Sequence, residues 1–199
     1  MRDAAIEKIR MTAAEYRRLP ETAGMTELIH GELIRYGEGD MPSAKDDHQT
    51  VVSFMLAFLL TRFTPDRLKT APLDVYLDDS NCVEPDIFWV SPDSAQCRLG
   101  EDGYWYGAPE LIVEVLSPST THRDEGVKYE LYEKYGVQEY WIADPILRLL
   151  KVFVRQGEGF RRVGVFNTEE SFISPILGGQ VVEVKRLFPA SFNALPGQR

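Results

Sequence analysis

Residues 111–116 read Leu-Ile-Val-Glu-Val-Leu, and residues 117–120 follow as Ser-Pro-Ser-Thr. Strand alternation puts Ile112, Glu114 and Leu116 on one face and Leu111, Val113 and Val115 on the other. Apart from Glu114 both faces are apolar, the pattern of a central strand covered on both sides. After the Ser-Pro break a helix is expected over 123–135, stopped by Gly136, a residue suited to a left-handed cap. Glu139–Ala143 and Leu149–Val154 then read as strands, with Asp144-Pro145 as the turn between them.

Toward the N-terminus, Pro85–Val90 and Pro72–Leu77 are strand candidates on either side of an Asp-Asp-Ser-Asn turn, and Ser91–Ala108 reads as a loop. Asp46 or Asp47 can cap a helix running to about Phe63, with Val52, Met55, Leu56, Leu59 and Phe63 at helical spacing. Before it, Thr26–Tyr36 alternates around His30-Gly31 as two short strands, and Gly37–Asp47 is polar and glycine-rich. Thr12 and Glu15 form a capping-box pattern for a short helix ending near Pro20. Phe160–Phe166 and Gln180–Val184 are strand-like pieces of the tail. The order predicts one α/β domain of mixed α+β character over 1–199, with a core over about 12–155 and a β-rich C-terminal extension over 156–199.

The chain has 199 residues, 44% hydrophobic and 27% charged, which suits one ordered domain. Its 22 basic and 31 acidic residues give a net charge of −9. A protein that coats nucleic acid needs clustered Lys and Arg, and none is present; bound divalent cations can supply positive charge locally instead. Cys82 and Cys97 form no metal-binding motif with the scattered His30, His48 and His122, so free thiols in a reducing compartment are expected. The apolar run Val51–Leu60 is too short to span a bilayer, and Met1–Met11 has no secretory pattern. A cytoplasmic protein without a membrane partner is the expectation.

The informative charges sit on faces that should be apolar. Glu114 lies between Ile112 and Leu116, where an isolated carboxylate is costly to ionise. Asp86 shares a face with Phe88 and Val90 at a strand entry. On the helix after Glu114, Val127, Leu131 and Tyr135 form an apolar stripe, with Asp124 and Lys128 inside or beside it. Asp124 and Lys128 stand four apart in the order that favours a helical ion pair, so a purely structural pairing is open. The alternative is that this face packs over the Glu114 strand and delivers Lys128 to both carboxylates. Two carboxylates from neighbouring strands and a lysine can serve metal-assisted hydrolysis, the lysine orienting or deprotonating water or neutralising a developing anion.

Read in order, "ELIHGEL", a following histidine that opens an apolar helix, "EPDIFWV", "GAPELIVEVLSPST", Asp124 to Tyr132 and "GVQEYWIADP" resemble the Uma-type restriction-endonuclease family, of PD-(D/E)xK nuclease fold. The resemblance spans roughly Thr12 to Phe153. It implies a restriction-endonuclease-like core, a central mixed β-sheet flanked by helices, that cleaves phosphodiesters with Mg²⁺ or Mn²⁺. It assigns the metal to Asp86, Glu114 and the backbone carbonyl of Val115. The superfamily lysine would stand two residues after Glu114, where this chain has Leu116. Lys128 is the implied replacement. Glu32 resembles an acidic residue able to reach the metal, with an exposed strand carboxylate as the alternative. His48 falls on the inward helix face, as a group behind the metal, a phosphate contact or a core histidine. Asp124 joins it as a supporting or phosphate-contacting residue.

The reading that follows is a metal-dependent endonuclease acting on nucleic acid, DNA in preference to RNA, as a homodimer. Two others stay open: a catalytically inactive nuclease-fold binding module, and a structural homodimer whose ion pairs hold the core. His122-Arg123-Asp124 matches a kinase-loop tripeptide, but Tyr129 stands where that motif needs a metal-binding Asn. Trp105, Trp141, Tyr104 and Tyr106 could stack on bases, with packing as the favoured alternative, and Tyr104–Tyr106 could form a dimer contact.

Overall fold

The computed structural model describes residues 9–20, 26–35, 46–117 and 121–190. Most of the polar stretch 37–47, the Pro118-Ser119-Thr120 break and residues 191–199 of the C-terminal extension lie outside them.

Leu111–Val115 is strand β9, buried at all its positions. It pairs in parallel with β10 (Glu139–Asp144) and antiparallel with β6 (Ile87–Trp89). Adding β11 (Leu149–Gln156), β12 (Gly159–Phe166) and β3 (Leu68–Thr70) gives a central mixed sheet in the order β12-β11-β10-β9-β6-β3. Because β12 belongs to this sheet, the core continues past residue 155.

A second six-stranded sheet has the order β2-β1-β5-β4-β8-β7. It is built from β1 (Thr26–Ile29), β2 (Glu32–Arg35), β4 (Val75–Asp78), β5 (Asn81–Val83), β7 (Arg98–Leu99) and β8 (Trp105–Tyr106). The β1–β2 hairpin turns at His30-Gly31 as expected, with φ of 51° and 73°, the left-handed pair of a tight hairpin turn. The strand expected over 72–77 begins at Val75, β7 and β8 occupy residues expected to be loop, and β5 starts at Asn81, the last residue of the expected turn. Strands of two or three residues are too short to show alternation; tertiary pairing alone makes them.

The helices depart from expectation in instructive ways. Thr12 and Glu15 do form a reciprocal capping box, but α1 (Ala13–Tyr16) is a single turn. In α2 (Asp46–Leu60) the buried set is His48, Val51, Met55, Phe58 and Leu59, with Val52 and Leu56 only half-buried. An all-round apolar helix gives spacing no means to choose its inner face. The helix expected over 123–135 is two pieces, α3 (Thr121–Asp124) and α4 (Val127–Tyr135), broken at Gly126, whose φ of −116° and ψ of −104° are not helical. Gly136 ends α4 in the left-handed conformation, φ 92°, as expected.

One apolar layer lies between the sheets and under α4, joining Val75, Val83 and Trp105 to Phe88, Ile112, Leu116, Leu131 and Tyr140. The other covers the opposite face of the central sheet. There α2, strands β13 (Ser171–Ser174) and β14 (Gln180–Glu183) and the 3-10 turn Val184–Arg186 contribute Met55, Phe172, Val182 and Val184, packed against Val113 and Trp141. Alternation in β9 therefore points Glu114 into the first layer, toward α4.

Candidate active site

The β6–β9 ladder pairs Ile87 with Val113, so Asp86, one residue before β6, stands beside Glu114. The Val115 N–H donates to Asp86 Oδ2 at 2.7 Å, and the Asp86 N–H donates to Glu114 Oε2 at 3.4 Å. These backbone contacts hold the two carboxylates side by side at the carboxyl end of β9.

Glu114 is 3% exposed. Its Oε1 accepts hydrogen bonds from Lys128 Nζ at 2.9 Å and from the Tyr132 hydroxyl at 2.7 Å, both on α4. Lys128 Nζ also lies 2.9 Å from Glu27 Oε1 and 3.6 Å from Asp124 Oδ1. So α4 brings Lys128 to Glu114 while the ion pair with Asp124 exists as well, but Lys128 pairs with Glu27 rather than Asp86, so it reaches one of the two expected carboxylates. Where the superfamily lysine would stand, Leu116 packs into the layer between the sheets.

His48, at the start of α2, is buried and places Nε2 3.2 Å from Asp86 Oδ2, while its Nδ1 is buried without a hydrogen bond. It is thus neither remote nor a fully satisfied core histidine. Burial works against its protonated form, but the hydrogen bond to Asp86, the charges of Asp86 and Asp124, and the Val115 carbonyl outweigh burial and raise its pKa. Asp124 is buried, and its backbone carbonyl accepts from the Tyr140 hydroxyl at 3.0 Å. Glu32 is half-buried opposite Ile29, two pairs along the hairpin from Glu27.

Glu27 is the residue that the sequence reading passed over in favour of Glu32. It is fully buried on β1, and besides Lys128 it accepts the Glu84 N–H at 3.0 Å. The signal existed: as Glu114 falls between Ile112 and Leu116, so strand alternation in the sequence puts Glu27 between Met25 and Ile29. Tyr132 was also missed, although it stands four residues after Lys128 and so on the same helix face.

The electrostatics follow from one ammonium serving several acids. Burial opposes charge on Lys128, yet Glu114, Glu27, Tyr132 and Asp124 more than offset it and raise its pKa, so Lys128 is an ammonium. Burial pushes the Glu114 carboxyl well above its ordinary range; Lys128 pulls it back, and Asp124, Asp86 and Glu27 push it up again. Half-buried Glu84 is raised to about 8 by burial, then by Asp74 and Glu27, against Lys128. Three carboxyl groups thus lie within 3.6 Å of one lysine and share it as their cationic partner.

The all-oxygen chemistry of Asp86 and Glu114 suits a hard divalent cation. Among the described residues no three His, Cys, Asp or Glu side chains are grouped to hold a metal alone. A cation here would therefore need backbone carbonyl and water beside Asp86 and Glu114, a set that suits Mg²⁺ or Mn²⁺ better than Zn²⁺.

Asp86 and Glu114 thus stand at the end of a strand of a central mixed sheet with helices on it. The chain belongs to the Uma2 family, described as "Putative restriction endonuclease", whose model matches residues 13–185. A crystal structure described as that of "a putative nuclease belonging to DUF820", from Anabaena variabilis, superimposes with a TM-score of 0.69. It is 23% identical and covers 89% of this chain and 97% of that one, which establishes a common fold. No curated protein matches the chain. Among the described residues no helix is long and apolar enough to cross a membrane.

Proposed function

We propose that the protein is a metal-dependent phosphodiesterase, an endonuclease that cleaves nucleic acid, DNA in preference to RNA. Asp86, Glu114 and the Val115 carbonyl would hold Mg²⁺ or Mn²⁺. The observation that carries this reading is the pairing of Asp86 with Glu114 at the strand end while α4 brings Lys128 to Glu114 Oε1. Bound there, the cation supplies Lewis acidity toward the attacking water and the charge that grows on the phosphate.

The chain's own residues set the geometry. Lys128 and Tyr132 hold Glu114 Oε1, leaving Oε2 on the side of Asp86. Lys128, ion-paired with Glu114, Glu27 and Asp124, would orient or deprotonate the attacking water or neutralise the developing anion. His48 and the Val115 N–H fix the rotamer of Asp86. A homodimer in the cytoplasm, where the buried free thiols of Cys82 and Cys97 stay reduced, completes the proposal.

A second reading, a nuclease fold that binds without cutting, is favoured by Leu116 and by the 4% exposure of the Lys128 side chain. Cleavage of plasmid, single-stranded DNA and RNA with Mg²⁺, Mn²⁺ or EDTA separates the two. Metal-dependent cutting that falls about a hundred-fold or more in Asp86→Asn and Lys128→Met supports the nuclease. A wild type that cuts no substrate, yet melts higher with Mn²⁺ in a way that Asp86→Asn abolishes, supports the binding module.

A further inference from the structure

The outer face of α2 has no role in the site and stays exposed among the described residues. From His48 to Thr61 the chain contains no Asp, Glu, Lys or Arg. The inner face is buried, while Gln49, Ser53, Phe54, Ala57 and Leu60 face outward, Phe54 at 40% and Leu60 at 43% exposure. A surface helix ordinarily carries charges on its outer face. An uncharged outer stripe bearing an exposed Phe and Leu is a surface that a second protein could cover without burying any charge.

The charges that α2 lacks in its middle stand at its ends: Asp46 and Asp47 open the helix, and Arg62 follows its last turn. The two ends are of opposite sign and equidistant from Phe54. Turned end for end about an axis beside Ser53 and Phe54, the helix therefore matches itself, acidic end to basic end. That is the property a two-fold interface requires, because the same patch must serve both partners.

We propose that α2 is the surface through which two copies of this chain associate, packed antiparallel about a two-fold axis. Ser53 and Ala57 are small enough for close approach of the helices. Phe54 and Leu60 fill the apolar contact, and Asp46 and Asp47 face Arg62 of the partner subunit. The Arg62 and Arg186 guanidiniums, over the Phe58 ring at 5.6 and 5.1 Å, form a polar rim beside it. The inference deepens the homodimer part of the proposed function and rests on it. It also sets the two candidate sites at opposite ends of the interface, since His48 is six residues from Phe54. The two His48 residues would lie roughly 18 Å apart along the helix axis at 1.5 Å per residue.

The test combines mass measurement, charge exchange and cross-linking on the full chain. A dimer of the 22.7 kDa protein is expected in solution. Arg62→Glu should weaken it about ten-fold or more, and adding Asp46→Lys with Asp47→Lys should restore it. Ser53→Cys should give a covalent dimer under mild oxidation, while Ser171→Cys on exposed β13 should not; the native thiols are buried and do not compete. Asp46, Ser53, Arg62 and Ser171 are exposed and Asp47 is half-buried, all outside the core, and an unchanged melting temperature confirms folding. A monomer at ~100 μM overturns both the inference and the homodimer reading. A dimer that ignores Arg62→Glu and resists cross-linking at Ser53→Cys overturns the α2 interface alone.

Discussion

At the scale of single residues, the site is governed by how few donors serve how many acids. Removing Lys128 strips the ammonium from Glu27, Glu114 and Asp124 at once, whereas removing the Tyr132 hydroxyl takes one hydrogen bond from one oxygen. Breaking a buried ion pair from one side costs about 3–5 kcal/mol, and deleting a buried hydrogen bond to a charged group about 1.5–3 kcal/mol. Urea denaturation should therefore rank Lys128→Met as clearly more destabilising than Tyr132→Phe. Equal losses would mean that the three carboxylates do not depend on Lys128. Because Lys128 is so costly to remove, the nuclease test leans on Asp86→Asn as its gentler partner: the amide keeps the shape of the side chain and still accepts the Val115 N–H.

Among the elements, the break between α3 and α4 decides which side chains reach the site. Helix propensity favours Ala over Gly by about 1 kcal/mol, so Gly126→Ala should stabilise a continuous helix. Here a Cβ on Gly126 would lie 2.6 Å from the His122 carbonyl oxygen, a backbone atom that cannot move aside cheaply. Gly126→Ala is therefore expected to destabilise by about 1–3 kcal/mol, measured from the urea midpoint. A stabilised variant would show that the break is dispensable. The stripe expected from Val127, Leu131 and Tyr135 lies wholly within α4, so the break shifts only Asp124 relative to it. Measured from Val127, the inward set is Lys128, Leu131 and Tyr132, and Tyr135 is only half-buried.

For the molecule as a whole, Glu139 ties the C-terminal segment to the central sheet. Its Oε1 accepts from Trp141 Nε1 at 2.7 Å, and its Oε2 accepts from the Ser174 hydroxyl and the Ile176 N–H, both at 3.0 Å. Burial raises its pKa, against the lowering effect of Ile176, Trp141 and Ser174. The folded protein thus holds this proton at pH values where the unfolded chain has released it. Its contribution to stability is full below the ordinary glutamate pKa and is lost as pH rises through the raised value. Glu139→Gln cannot titrate, so the fall in urea midpoint between mildly acidic and neutral pH should be shallower than in wild type. Parallel pH profiles would assign the slope to other carboxyls.

What the sequence determined by itself was local or periodic. The all-apolar run around Glu114 marked a strand covered on both faces, His30-Gly31 marked a hairpin turn, Gly136 a helix stop, and Asp86, Glu114, Asp124 and Lys128 charges out of place. Each is written in a few adjacent residues, and the resemblance to the nuclease family rested on the same blocks. Tertiary structure decided the rest. Glu27 reaches Lys128 from a strand 101 positions earlier in the chain, a distance at which spacing carries no information. The short strands β5, β7 and β8 exist only through their pairing partners, and α2 acquired an inner face only when the sheet and the C-terminal segment packed against it. A side chain's face within an element follows from backbone geometry, whereas which elements meet follows from burial summed over the whole chain.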